Sequence, residues 1–198
     1  NDLPATLHLV EPLGANKDAR VRRISADMDD KARHAIAPGL DSILSGIAKV
    51  SVDGVAGDGR LFEVDLKSAT LSLPWAGWSK GAGVPATASF KMHNANGRSR
   101  LENFKLRGET FAASGTVSLQ GDAVERIRFS PMRLNRGDDF SVDVERKGKG
   151  YNVTVRGKSL DARSIIKLVS RDLSDAGSGG DNTPISVDLA VDALVGFY

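Results

Sequence analysis

The side chains of this 198-residue chain that could carry chemistry are few and scattered. Its histidines, His8, His34 and His93, stand far apart, and none belongs to a ligand-spaced pair such as H-x-x-x-H, so they read as surface or structural residues rather than metal ligands. Aspartates pair at Asp29-Asp30, where a helix starts, and at Asp138-Asp139, after Arg136-Gly137 in a turn. Neither pair has the look of a tuned acid/base couple. The segment DAGSGGDN, residues 175–182, lacks the D-x-[DN]-x-[DN]-G spacing and closing glutamate of a calcium loop and reads as a flexible linker. There is no G-x-S-x-G elbow and no G-x-x-x-x-G-K-[ST] loop, and Gly54, Gly57 and Gly59 fall between strands without forming G-x-G-x-x-G. With no cysteine, disulfides and thiolate metal sites are excluded. The expectation is a non-catalytic chain with no cofactor and no metal.

One stretch does combine aromatic and cationic groups. The strand-like run Leu66 to Leu73 ends at Pro74, Trp75 and Trp78 follow, and Lys80 to Gly83 leads through Pro85 into another strand. Trp75, Trp78 and Lys80 fit a rim for an amphiphile's head group or a membrane interface, where indole favours half-wet places. They also fit a plain corner in which the tryptophans cap the end of a sheet and Lys80 stays hydrated; tryptophans are common core residues, which favours the corner.

The elements that must position these residues are mostly strands. From Thr110 to Gln120, Phe111, Ala113, Gly115, Val117 and Leu119 alternate with polar or small residues, and the same period of two returns in Phe140, Val142 and Val144 and in Tyr151, Val153 and Val155. Strands are predicted near 47–54, 60–73, 84–93, 98–107, 110–120, 124–134, 139–146 and 150–157, with short connections that make neighbours antiparallel. Within 124–134 the apolar phase changes, from Ile127 and Phe129 to Met132 and Leu134. Ser130-Pro131 sits at the change, so a bulge or bend belongs there. Two short helices are expected: one around Asp29 to Ile36, stopped by Pro38-Gly39, and one from Asp161, as N-cap, to Ser170, with Leu160 packing on Ile165. Leu3 to Val10 and Ile185 to Tyr198 are strand-like at the two ends, which predicts an excised piece of something longer. The last strand either returns to the same sheet or pairs with sequence outside this chain.

Composition is ordinary for a globular protein, with 40% hydrophobic and 26% charged residues. The 27 basic and 25 acidic residues are dispersed, which argues against nucleic acid. No run approaches the roughly 20 apolar residues of a membrane span, and no basic-then-apolar signal opens the chain.

Several segments together resemble the AsmA-like family of bacterial envelope proteins, the YhdP and TamB group. They are the helix at Asp29 to Ile36 followed by strands from Ile47, then Asp65-Leu66-x-x-Ala69 running to Pro74-Trp75, and Trp78-x-Lys80-x-x-Gly83-x-Pro85-Ala86. The stretch GETFAASGTVSLQG, the strand with Phe129 and Leu134, and Gly157-x-x-Leu160-Asp161-Ala162-Arg163 are similar too, so that the resemblance spans residues 20–172. It implies a periplasmic segment of a protein anchored in the inner membrane through sequence outside this chain. Its long curved sheet would carry phospholipid in an apolar groove between the membranes and serve outer-membrane homeostasis, with no catalytic residues to transfer. The family's N-terminal membrane helix has no counterpart in this chain.

The combined expectation is a mainly β domain over residues 1–198, a curved, twisted antiparallel sheet, taco- or half-barrel-like, with two short α-helices. Its candidate lipid face comprises Phe111, Val117, Leu119, Ile127, Phe129, Phe140, Val142, Val144, Tyr151, Val153 and Val155. The partner would be a phospholipid or other amphiphile together with the remainder of a longer envelope protein. Since Val and Phe serve equally in a core, a closed structural or interaction module without a groove is the alternative.

Overall fold

The computed structural model describes residues 4–10, 21–54, 59–73, 78–121, 123–161, 163 and 184–195. Its strands are β1 (Ala5–Val10), β2 (Val21–Met28), β3 (Leu44–Gly46), β4 (Ala48–Gly54), β5 (Arg60–Asp65), β6 (Ala69–Leu73) and β7 (Trp78–Lys80), followed by β8 (Ala86–Ala95), β9 (Arg98–Gly108), β10 (Ala112–Gln120), β11 (Ala123–Arg133), β12 (Asp139–Lys147), β13 (Gly150–Asp161) and β14 (Ile185–Val195). The chain is mainly β. Eleven strands form one large twisted sheet in the order β1-β2-β4-β5-β8-β9-β10-β11-β12-β13-β14, open at β1 and β14, and β3, β6 and β7 form a second sheet.

The large sheet is mixed rather than wholly antiparallel. The final strand does return to it, but β14 runs parallel to β13, from Tyr151 opposite Ile185 to Asp161 opposite Val195. Residues 162–184 separate the two strands, which exceeds the dozen or so that a parallel crossover needs.

The single described helix, α1 (Asp30–Ile36), lies where the sequence predicts it. Asp29 caps it by accepting the Ala32 N–H at 2.8 Å. Pro38 does more than stop it, since Pro38–Leu40 forms a turn of 3₁₀-helix. Asp30 accepts the Gly46 N–H at 2.7 Å and the buried Arg33 guanidinium at 2.7 Å, which ties the helix to β3. The second expected helix, from Asp161 to Ser170, and the linker over 175–182 lie outside the described residues apart from its start. There Asp161 ends β13 and its carboxylate accepts the Arg163 N–H at 3.1 Å, as a cap does. No helix among the described residues is long and apolar enough to cross a membrane.

The predicted strand 60–73 is two strands in different sheets. The Asp65 carboxylate accepts the Lys67 N–H at 2.8 Å, a local side-chain turn that breaks the ladder, and β6 leaves for the small sheet. Leu71 and Trp78 of the small sheet join Ala88, Leu106, Ala113, Met132, Phe140, Val142 and Val155 of the large one in a single buried cluster. The small sheet therefore covers one end of one face of the large sheet.

Bulges keep that face apolar where the sequence parity changes. Between Phe129 and Met132 the register of β11 against both β10 and β12 slips by one residue, at the predicted Ser130-Pro131 position. A second slip lies in β9, where Asn103 has φ of 52° and allows Leu101 to share a face with Phe104 and Leu106.

Candidate functional site

Following the register from strand to strand gives a cross-sheet row, continuous except at the β8–β9 slip between Ser89 and Lys91, where Phe90 has no register partner and the row passes on through its ring contact with Phe104. Leu7, Ile24, Val52, Phe62, Phe90, Phe104, Gly115, Phe129, Val142, Val155 and Leu189 supply one residue from each strand of the large sheet. Residues paired across a sheet share a face, so this is one apolar stripe at right angles to the strands. Its centre is aromatic: Phe62 and Phe90 stack at 5.0 Å between ring centroids, Phe90 and Phe104 at 6.1 Å, and Phe104 and Phe129 meet at 5.4 Å.

A second row runs parallel to it toward the small sheet, through Val64, Ala88, Leu106, Ala113, Met132 and Phe140, and all of these except Val64 are buried. A third row lies on the opposite side of the stripe. Its members Met92, Leu101, Val117, Ile127, Val144 and Val153 are only half-buried, and Val187 at the β14 end is 62% exposed. At the β1 end, Leu7 is 64% and Ile24 48% exposed. The face thus passes from packed core at the small sheet to uncovered apolar surface at the far ends of the strands.

Of the sequence-predicted face residues, the register brings Val117, Ile127, Phe129, Phe140, Val142, Val144, Val153 and Val155 onto this one face. Leu119 and Tyr151, half-buried, continue it beyond the third row, Tyr151 opposite Ile185. Two corrections apply. Phe140, Val142 and Val155 are buried within the protein's own core and are not open to a ligand. Phe111 precedes β10 rather than lying in it, and its ring packs edge-on against Trp78 at 4.9 Å, sealed under the small sheet.

The rim also fails as drawn. Trp78 and Lys80 are 7% and 3% exposed, because β7 lies in the small sheet on top of the core; Trp75 falls outside the described residues. Lys80 is not hydrated either. Its ammonium donates to the carbonyls of Leu66 at 2.5 Å and Ala69 at 2.6 Å, and burial lowers its pKa, opposed by the charge of Asp65.

Sequence reasoning missed Phe62, Phe90 and Phe104. Each sits at an alternating strand position, but only the register reveals that they form a row with Phe129.

The other face of the large sheet is charged and laced with ion pairs. Arg23 donates twice to Asp53, each at 2.7 Å, and Arg126 holds Asp143 at 2.6 and 3.0 Å. These hydrogen bonds, more than charge alone, hold the Asp53 and Asp143 carboxyls below the usual range. A shallow trough of about 680 Å³ opens on this polar face along β4, β5, β8 and β9. His34 bonds Asp41 at 2.5 Å beside α1, while His93 on β8 lies 3.6 Å from Glu102; no cluster of three metal-ligating side chains occurs among the described residues.

No protein-family model, curated protein or solved structure matches the chain.

Proposed function

We propose that this chain is a non-catalytic lipid-binding segment, in which the acyl chains of a phospholipid or similar amphiphile lie along the half-exposed part of the apolar face. The observation that carries the reading is the cross-sheet apolar stripe with four phenylalanine rings at its centre, bordered by the half-buried Val117, Ile127, Val144 and Val153 and running out to exposed Leu7, Ile24 and Val187 at the sheet's edges. Contiguous uncovered apolar area of this kind marks an interaction surface, and each methylene laid on it contributes about 0.8 kcal/mol. The resemblance to AsmA-like proteins supports a periplasmic setting within a longer, inner-membrane-anchored protein that moves phospholipid toward the outer membrane. The bulges in β9 and β11 support a taco- or half-barrel-like curl of the sheet around the bound chains.

A closed module is the second reading, favoured by the burial of Met132, Phe140, Val142 and Val155. The two readings meet on the third row. Lipid binding is tested by native mass spectrometry of the purified chain and by uptake of a fluorescent phospholipid. Wild type carries lipid and Val117→Asp remains folded but loses it; no co-purifying lipid and no uptake by wild type overturns the proposal. Unfolding of Val117→Asp, with the same result for Ile127→Ser, assigns the third row to a closed core.

A further inference from the structure

The polar-face trough has a floor of short side chains and long charged ones around it. Two adjacent cross-strand rows line it: Lys49, Asp65, Thr87 and Arg107 in one, Ser51, Glu63, Ser89 and Lys105 in the other. Within it, Lys105 and Arg107 of β9 stand directly opposite Ser89 and Thr87 of β8. Neighbouring strands are about 5 Å apart and same-face residues on one strand about 7 Å apart, so the four side chains form a compact array of two cations facing two hydroxyls.

The charges in this array are uncommitted. Elsewhere on the same face, Arg23 is bound to Asp53, Arg126 to Asp143 and Arg156 to Asp188. Lys105, Arg107 and Lys49 make no ion pair among the described residues. The trough's carboxylates are engaged already: Glu63 lies 3.4 Å from Arg23, and Asp65 accepts the Lys67 N–H. Both stand on β5, one strand away from the β8–β9 array.

We infer that the Lys105–Arg107–Thr87–Ser89 array binds a phosphate group. A guanidinium offers a planar fork to two oxygens, an ammonium neutralises a second charge, and two hydroxyls can donate to the remaining oxygens. A tetrahedral dianion uses all four, whereas a carboxylate has too few oxygens and too little charge to do so. The site lies on the face opposite the apolar stripe and does not depend on lipid occupying that stripe.

A phosphate of this kind can belong to a soluble phosphomonoester or to a lipid head group. Calorimetric titration with glycerol phosphate and co-flotation with phosphatidic acid vesicles separate the two sources. At least one of these probes binds wild type, K105A/R107A binds it at least tenfold more weakly, and the control K147A binds as wild type does. Binding of glycerol phosphate assigns the site to soluble phosphomonoesters, and binding of vesicles alone assigns it to a head group. Thr87→Val, which keeps every charge, weakens binding severalfold, a change that general charge attraction does not predict. No binding of either probe, or equal losses in K147A and K105A/R107A, overturns the inference. Lys105 and Arg107 are exposed, so both variants retain the fold, and circular dichroism checks this.

Discussion

Phe104 and Phe129 lie on strands that are not neighbours, yet their rings meet at 5.4 Å because the residue between them on β10 is Gly115. A Cβ built at Gly115 would stand 1.8 Å from the Arg128 carbonyl oxygen and 2.8 Å from the Phe129 ring. The glycine lets the bulged strand β11 approach closely and lets the aromatic row continue across β10.

Gly115→Ala should therefore destabilise the protein by about 1–3 kcal/mol, the usual cost of forcing extra volume into a packed site. Thermal denaturation measures it. Gly121→Ala, at a turn with open space around it but with φ of 58°, separates backbone strain from steric conflict. Equal losses at both positions would argue against the close approach as the cause.

Phe90→Ala and Phe104→Ala remove rings from the middle of the stripe. Each is expected to lower fluorescent-lipid uptake more than Ile36→Ala, which alters an exposed apolar residue on α1. The loss of ring packing also costs stability, about 0.5–1.5 kcal/mol per aromatic pair beyond the area lost. Uptake is therefore compared at a temperature where all variants are folded; uptake equal to wild type in both phenylalanine variants excludes the stripe as the binding surface.

Lys80→Ala leaves the carbonyls of Leu66 and Ala69 without their ammonium donor beneath the small sheet. The Leu66 carbonyl keeps the Ala69 N–H at 3.2 Å, but losing a charged donor from buried carbonyls costs about 1–3 kcal/mol, so the melting temperature should fall. Because Trp78 packs on Phe111 at this junction, its fluorescence should shift to the red as the small sheet loosens. An unchanged melting temperature would mean that water replaces the ammonium at no cost.

Acid should weaken the polar-face ladder. Asp53 and Asp143 have folded-state pKa values below their unfolded ones, because Arg23 and Arg126 hydrogen-bond their charged forms. Carboxylates lowered in this way contribute stability that is fully present above the unfolded value of about 4 and is lost as pH falls through the folded values. Denaturant midpoints measured between about pH 5 and pH 2 should fall in wild type and fall less steeply in D53N/D143N. Identical slopes would show that the pairs are screened by solvent.

Much of this architecture is legible in the amino-acid order, since it depends on neighbours in the chain. Alternation marks most of the strands, Asp29 and the residues after it mark α1, and the parity change from Phe129 to Met132 marks the bulge, because side-chain direction along a strand follows from backbone geometry alone. The face of Val117, Ile127, Val144 and Val153 is readable for the same reason. Which residues stand side by side across strands is another matter, because register joins positions distant in sequence. Only the tertiary structure aligns Phe62, Phe90, Phe104 and Phe129 in one row, runs β14 parallel to β13, and turns the chain at Lys67-Ser68 into a second sheet in which Trp78 and Lys80 are buried. The sequence alone thus determines that this protein builds a one-sided apolar sheet. Tertiary packing decides which half of that face is core and which half stays open, because burial depends on what the rest of the chain lays over it.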